Sequence, residues 1–238
     1  MENTLMQPTD VIAKASEIKQ EKKAKKQKSI IPLSDVLAQN FKTIKLEGEW
    51  YEAFGEPQDK GVWLVWGSSG GGKSYFVMQL AKELAKTKKV LYNVLEEETS
   101  DTDFINRVKN VGMNDVKDKF KMQRHGYEDL VNFLKKAKKS YNPEVIIIDS
   151  LPYFIKTFDQ YIKLKKQFPS KIFIFTAHAK GANPRSELET RVQYDAKMKI
   201  FVNGYLASCK GRTIGPNGGH FISWKEGYEK VRGTIENE

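Results

Sequence analysis

The glycine-rich segment GSSGGGKS, residues Gly67–Ser74, constrains the fold more than any other part of the sequence. A short apolar run, Val62–Trp66, precedes it, and the segment Ser74–Lys86 follows with apolar residues at helical spacing. Glycines let such a loop curl so that successive N–H groups point inward, while the next helix presents its positive N-terminus. The spacing G-x-x-x-x-G-K-S between a strand and a helix therefore predicts a phosphate-binding loop.

Each residue of this loop has an expected role with a nucleoside triphosphate. Lys73 supplies a mobile cation for the β and γ phosphates, and the Ser74 hydroxyl is a hard oxygen ligand suited to Mg²⁺. The alternative is a flexible Gly/Ser loop that happens to precede a lysine. We predict that the nucleotide-binding residues are Gly67, Ser68, Ser69, Gly70, Gly71, Gly72, Lys73 and Ser74.

Short apolar runs alternate with amphipathic segments along most of the chain, which is the pattern of a parallel sheet with crossover helices. The predicted strands are Val62–Trp66, Val90–Leu95, Phe120–Gln123, Val145–Ile148 and Ile172–Thr176. The predicted helices are Ser74–Lys86, Asp101–Val111, Tyr127–Lys139 and Thr157–Phe168. Beyond residue 196 the rhythm changes to strand, turn, strand, and Asn203-Gly204 between two alternating runs predicts a hairpin. We expect an α/β fold whose sheet ends in antiparallel strands.

Acidic residues follow two of the predicted strands. Asp149 ends the apolar run VIIID and is expected to hold Mg²⁺ through water, opposite Ser74. Glu96, Glu97 and Glu98 follow the strand Val90–Leu95, at the sheet edge where the phosphate loop opens. One of these carboxylates could orient and deprotonate the attacking water, and we favour Glu96 over Glu97. The alternative is a solvated strand end without a chemical role.

Taken together, five segments resemble the RecA-type ATPase core of RadA-like recombination proteins and hexameric replicative helicases. They are GSSGGGKS, VLYNVLEEETSDTDFINRVKNVG, VIIIDS, IFIFTAHAKG and SCKGRTIG, in unbroken order over about residues 45 to 226. The resemblance implies a three-layer α/β RecA-like P-loop NTPase core with a mainly parallel twisted sheet and C-terminal antiparallel strands. It also implies ATP and Mg²⁺ as ligands, and ATP hydrolysis as the reaction.

The resemblance assigns further roles residue by residue. Glu96 would be the catalytic carboxylate, and His178 would occupy the strand-end position where this superfamily senses the γ phosphate. Lys210 and Arg212 match the pair that reaches the nucleotide of the next subunit, so hydrolysis would occur at interfaces of a homo-oligomer, a ring or a filament. With Lys73 these four complete the predicted catalytic set. Without the resemblance, the histidine and the basic pair are ordinary strand-edge and hairpin residues.

The segment Ala179–Gln193 follows the sensor strand and lacks an apolar face at its start. RecA-like proteins use a loop at this place to grip single-stranded DNA, which makes Lys180, Arg185 and Arg191 the predicted DNA-binding residues. No stacking aromatic is obvious in this segment, so binding would depend on charge and weaken with salt. Much of the neighbouring basic charge could equally form a solvated helix face.

Composition sets the remaining expectations. The 238 residues carry 40 Lys and Arg against 30 Asp and Glu, a formal net charge of +10 that favours a polyanionic partner. No apolar run approaches the roughly 20 residues of a membrane-spanning helix, and the start lacks the pattern of a signal peptide, so we expect a cytoplasmic protein. Seven lysines between Lys14 and Lys28 predict a basic flexible tail over residues 1–29, with a helix as the alternative. The ATPase domain would cover residues 30–238.

The expected body is a minimal core. RadA-like proteins carry a zinc module and a protease-like domain, and replicative helicases carry an extra helical domain; neither pattern is present in this sequence. The chain is therefore closest in plan to the short RecA-like ATPases of phages and mobile elements that assist recombination or replication. Two other function classes stay open: a helicase loader or partner-remodelling switch, and a small-molecule phosphotransferase.

Overall fold

The apolar runs form the parallel centre of a twisted sheet in the computed structural model, which describes residues 30–138 and 140–232. Every residue of β2 and β4 is buried, as expected where helices cover both faces of a parallel sheet. In chain order, the strands of this parallel part are β1 Gly61–Gly67, β2 Val90–Val94, β3 Phe120–Gln123, β4 Val145–Asp149 and β5 Ile172–Lys180.

The sheet order is β3-β2-β4-β5-β1-β7-β8-β9, with β7 Met198–Asn203, β8 Leu206–Cys209 and β9 His220–Ile222 at its end. All pairs up to β1–β7 are parallel, and the last two pairs are antiparallel. A two-residue strand, β6 Asn183–Pro184, pairs antiparallel with the end of β5. The α/β class with a mainly parallel sheet and antiparallel C-terminal strands is therefore confirmed.

Helices cover both faces of this sheet. The helices of the described chain are α1 Leu33–Leu37, α2 Gly48–Phe54, α3 Lys73–Ala85, α4 Thr102–Val111, α5 Tyr127–Lys136, α6 Leu151–Phe154, α7 Phe158–Gln167, α8 Glu187–Asp195 and α9 Lys225–Arg232, with a 3₁₀ turn at Met113–Val116. Strand side chains alternate between two cores: Trp63 and Val65 pack with α3, whereas Leu64 and Trp66 belong to the core under α5 and α7. The result is three layers.

The aromatic residues near the start of the core are mostly structural. Trp50 stacks on Phe221 with ring centroids 4.1 Å apart, and Phe54 is buried beside both. This arrangement ties α2 to β9 and α3. Of Trp50, Tyr51 and Phe54, only Tyr51 is exposed, and none of the three lines the cleft described below.

One segment differs from its sequence-based expectation. The resemblance implied a DNA-gripping loop within residues 179–193, but β5 continues to Lys180, a short hairpin turns through Gly181, and α8 begins at Glu187. The Ser186–Glu189 capping box starts this helix, and Val192 is buried on its inner face. This part of the segment is helical because a capping box starts the helix and Val192 packs into the core under α5 and α7.

The chain divides into two units, Met1–Phe41 and Lys42–Glu238. In the first, α1 is the described helix and buries none of its residues. The predicted tail, residues 1–29, lies outside the described residues, as do Lys139 and residues 233–238, so the proposed domain limits stay predictions. None of the helices in the described ranges has the length and apolarity needed to cross a membrane.

Candidate nucleotide-binding site

The glycine-rich loop lies at the carboxyl edge of the sheet, between β1 and α3. Two close approaches explain its glycines: a Cβ on Gly67 would lie 2.2 Å from the Val202 carbonyl oxygen, and one on Gly72 would lie 2.5 Å from the Tyr205 ring. Gly70 and Gly72 also have φ of +72° and +88°, a region that glycine adopts without strain. The loop is thus a tight backbone cradle followed directly by the N-terminus of a 13-residue helix.

Lys73 and Ser74 open α3 at this cradle. The Lys73 side chain is largely buried, at 8% exposure, and both residues line the cleft in front of the loop. A phosphate held by the loop would therefore meet a positive helix end and a positive side chain together. The positive charge at this cradle suits a polyphosphate.

The hairpin between β7 and β8 closes one side of this cleft. Because β7 runs parallel to β1, its end at Asn203 reaches the same edge as the phosphate loop. The Tyr205 N–H donates to the Gly71 carbonyl oxygen at 3.1 Å, and the Tyr205 ring packs edge-on against Trp224. These two rings form an aromatic wall beside the loop.

Glu96 is brought to the end of β4 by the parallel pairing of β2 and β4. The N–H groups of Leu95 and Glu96 both donate to the Asp149 carbonyl oxygen, at 2.7 and 3.1 Å. On its other side, the Glu96 carboxylate lies 3.3 Å from Nε2 of His178. His178 in turn is the β5 partner of Gly67, the first residue of the loop. Parallel pairing thus brings Glu96, Asp149, His178 and the loop to one edge.

Glu97 has a different environment from Glu96. Arg107 of α4 donates to both Glu97 carboxylate oxygens, at 3.2 and 2.7 Å. Burial alone would lower the pKa of Arg107, but these bonds raise it above its usual value. Arg124 donates to the Glu97 carbonyl oxygen and pairs with Glu98. Of the three adjacent carboxylates, Glu97 and Glu98 are paired with arginines and Glu96 faces a histidine.

Asp149 is 4% exposed and held by two hydroxyl groups. Tyr92 donates to one carboxylate oxygen at 2.8 Å, and Thr176 donates to the other. Burial, and then the charge of Asp149, raise the pKa of Tyr92 well above its usual value, so the phenol stays a proton donor. A carboxylate oriented in this way, with both oxygens engaged, fits a magnesium ion held through water, together with the Ser74 hydroxyl.

Most of the glycine-rich loop, Glu96 and His178 border a cleft of about 800 Å³; the predicted site residues Gly67, Gly71 and Asp149 are not among its lining residues. Aromatic Tyr75, Tyr205 and Trp224 and a polar stripe of α4 form its walls, with the phosphate loop, Glu96 and His178 between them. The lining residues are Ser68, Ser69, Gly70, Gly72, Lys73, Ser74, Tyr75, Glu96, Glu97, Asp103, Arg107, Asn110, His178, Tyr205 and Trp224. A cleft with a phosphate cradle at one end and aromatic walls suits a nucleotide.

Lys210 and Arg212 lie at the other edge of the sheet. Strand β8 runs antiparallel to β7, so the chain returns to the start of β7, where the Arg212 N–H donates to the Lys197 carbonyl oxygen at 2.9 Å. A seven-residue strand separates the two edges by roughly 20 Å. Both cations are exposed. They do not belong to the cleft of their own chain.

The predicted DNA-contacting residues lie on the hairpin and helix after β5. Lys180 and Arg185 flank the β5–β6 hairpin, are exposed, and form no ion pair with any described residue. Arg191 is also exposed, but its guanidinium lies over the Phe158 ring, 4.0 Å from the centroid. Arg191 therefore also holds α8 against α7, whereas Lys180 and Arg185 project from the fold.

Sequence reasoning missed Tyr205, Trp224 and the cleft-facing stripe of α4. The Asn-Gly turn marked the hairpin, but only the parallel placement of β7 beside β1 brings that turn to the loop. The stripe on α4 could have been predicted from the sequence. Asp103, Arg107 and Asn110 recur at helical spacing on the segment that follows the glutamates, so they share one face of that helix.

No protein-family model matches the sequence, and no curated protein matches it. Many solved structures are similar to it, including the following two. The flagellar accessory protein FlaH of Methanocaldococcus jannaschii has 17% identity and a TM-score of 0.52, covering 76% of this chain and 91% of its own. A KaiC-like protein of Pyrococcus horikoshii has 17% identity and a TM-score of 0.55, covering 75% and 98%. At this identity the likeness shows the fold alone, which is the RecA-like α/β fold expected from the sequence.

The two arginine–glutamate pairs at the end of β2 give a test of this geometry. Arg107→Ala leaves Glu97 without its two donors in a mostly buried place, and we expect a loss of about 1–3 kcal/mol in the free energy of unfolding. Arg124→Ala removes a more exposed pair and should cost less than about 1 kcal/mol. Urea unfolding of both variants measures the difference, and equal costs would contradict the described environments.

Proposed function

We propose that this protein is an ATP hydrolase that works as a homo-oligomer on single-stranded DNA in recombination or replication. One observation carries the ATPase assignment: Glu96, paired with His178, lies in the same cleft as the phosphate loop and Lys73. A phosphate cradle alone would suit any nucleotide-binding protein. A carboxylate free of arginine partners beside that cradle is what hydrolysis needs.

In this proposal the loop amides and Lys73 bind the phosphates of ATP, and the helix end stabilises their charge. Mg²⁺, held by the Ser74 hydroxyl and, through water, by Asp149, would neutralise charge on the phosphate oxygens. Tyr92 and Thr176 keep the Asp149 carboxylate in one orientation. The aromatic wall of Tyr205 and Trp224 offers an apolar surface for the nucleoside.

Glu96 is the proposed water-positioning residue. Its carboxylate has no arginine partner among the described residues, so it can accept a proton from water, and His178 at 3.3 Å keeps it at the loop. Both carboxylate oxygens of Glu97 are occupied by hydrogen bonds from Arg107. This difference in charge environment supports Glu96 over Glu97.

The location of the basic pair supports assembly into a homo-oligomer. Lys210 and Arg212 lie roughly 20 Å from the phosphate loop of their own chain, so they can reach a nucleotide only in another copy. A head-to-tail contact would bring the amino edge of one sheet to the carboxyl edge of the next and would repeat into a ring or a filament. A cation supplied in this way stabilises charge on the transferred phosphoryl group.

The DNA part of the proposal depends on exposed charge. Lys180 and Arg185 lie on the hairpin that directly follows His178 in the sequence. A nucleic-acid backbone bound at this hairpin would therefore contact residues only a few positions away from one that lines the cleft. The formal net charge of +10 favours the same class of partner. A protein partner at this surface would instead indicate a remodelling switch, and phosphoryl transfer to a small acceptor would indicate a phosphotransferase.

The catalytic assignment is tested by Glu96→Gln. Removing the base should lower the turnover of ATP by roughly 10²–10⁴-fold, while MgATP binding is retained because the loop and Lys73 are intact. Glu98→Gln, two residues away at the same strand end, should keep wild-type turnover. Phosphate release and equilibrium binding of a fluorescent ATP analogue measure the two quantities, and full activity of Glu96→Gln would reject the assignment.

The assembly is tested by mixing two inactive variants. Lys73→Ala should lose nucleotide binding, and Arg212→Ala should lose turnover with binding retained. After subunit exchange, about one quarter of the interfaces in an equal mixture would combine an intact Lys73 with an intact Arg212, so part of the activity should return. Lys135→Ala, which removes an exposed cation on α5 outside the cleft, is the control and should stay active alone. No recovery despite exchange would place Arg212 outside the reaction.

The DNA contact is tested by Arg185→Ala. We expect single-stranded DNA to stimulate the wild-type ATPase, and the variant to lose affinity and stimulation. The slope of log affinity against log salt should fall by about 0.7 for each phosphate contact removed. Lys136→Ala on the distant α5 is the matched loss of one positive charge. Equal affinity and stimulation in both variants would exclude the hairpin as the DNA contact.

A further inference from the structure

Both backbone groups of His178 are bound by the segment that follows it. The His178 carbonyl oxygen accepts from the Arg185 N–H at 2.9 Å, and the His178 N–H donates to Oε1 of Glu189 at 3.3 Å. The same residue presents its imidazole to Glu96. His178 therefore connects the exposed hairpin and α8 with the carboxylate in the cleft.

Glu189 is an unusual residue in this connection because it is an acidic side chain that is only 2% exposed. Its Oε2 accepts from the Ser186 N–H at 2.6 Å, and its own N–H donates to the Ser186 hydroxyl at 3.2 Å, which is the capping box of α8. Its second oxygen, Oε1, is then left for His178. Buried carboxylates are retained where hydrogen bonds satisfy them, and here two backbone N–H groups do so.

A second capping box in the chain shows what a helix start alone requires. Helix α7 begins with Thr157 and Gln160, whose amide oxygen accepts from backbone N–H groups of the cap. A neutral glutamine is sufficient there because one acceptor oxygen serves the helix. At α8 the two donors lie on different elements, so two acceptor oxygens are needed, and a carboxylate provides both.

We propose that Glu189 is a positioning residue that holds the backbone of His178, and through it the His178–Glu96 contact, while linking this contact to the hairpin and α8. The proposal rests on the proposed function for its catalytic consequence, but its structural part concerns His178 alone.

The variant Glu189→Gln separates this role from helix capping. Its amide oxygen can keep the bond to the Ser186 N–H, as Gln160 does in α7. Its NH₂ group would then face the His178 N–H, so a donor meets a donor and the bond is lost. Gln160→Ala, which removes the capping box of α7 without touching His178, is the matched control for a general loss of helix capping.

Two measurements on the full chain follow. The first is the ¹H–¹⁵N spectrum of the three histidine imidazoles without nucleotide: Glu189→Gln should shift the His178 signals and leave those of His125 and His220 in place, and Gln160→Ala should shift none. The second is steady-state kinetics, in which Glu189→Gln should lower kcat by about tenfold, with a much smaller change in KM and in affinity for single-stranded DNA.

Unchanged His178 signals in a folded Glu189→Gln protein would overturn the proposal. Equal kinetic losses in Glu189→Gln and Gln160→Ala would also overturn it, because helix capping would then explain both. If Glu189→Gln does not fold, Glu189→Asp, which keeps the charge but retracts it by one methylene, should shift the His178 signals; no shift would overturn the proposal. Shifted signals in a protein whose wild type hydrolyses no ATP would support the positioning role and reject the proposed function.

Discussion

Parallel pairing around β1 is the constraint on which the rest of this structure depends. Strands β1, β2, β4 and β5 run in one direction, so the phosphate loop, the glutamates, Asp149 and His178 all lie at one edge. The bonds from the Leu95 and Glu96 N–H groups to the Asp149 carbonyl oxygen continue this pairing beyond the strands. Reversing one strand would move its functional residue to the opposite edge, roughly 20 Å away.

Within that edge, charge partners distinguish side chains that the sequence makes equivalent. Three glutamates stand in a row, yet one meets Arg107, one meets Arg124 and one meets His178. Arg107 occupies both oxygens of Glu97 and Arg124 pairs with Glu98, whereas Glu96 has no arginine partner among the described residues. The chemistry proposed for Glu96 therefore originates in the residues that α4 and β5 bring to the strand end.

Much of the fold was predictable from local pattern, and the errors have a common cause. The apolar runs predicted the bounds of β1 to β4 to within one residue and the start of β5, which continues four residues beyond its predicted end. The Asn-Gly turn predicted the β7–β8 hairpin. The helix within residues 179–193, where the resemblance implied a DNA-gripping loop, was missed because α8 buries Val192 and Glu189 rather than a regular apolar stripe. The role assigned to Glu189 was likewise invisible in sequence, since its partner His178 lies on another element.

The sequence by itself determined the phosphate loop, the strand-end acids and the alternation that specifies an α/β sheet, because each depends on neighbouring residues and on the intrinsic geometry of strands, turns and helix ends. Only the tertiary structure decided that Tyr205 and Trp224 face the loop, that Arg107 occupies Glu97, and that Lys210 and Arg212 lie at the far edge. Those facts depend on the order and direction of the strands in the sheet. Strand order and direction are set when apolar faces that are far apart in the sequence pack against one another in a common core.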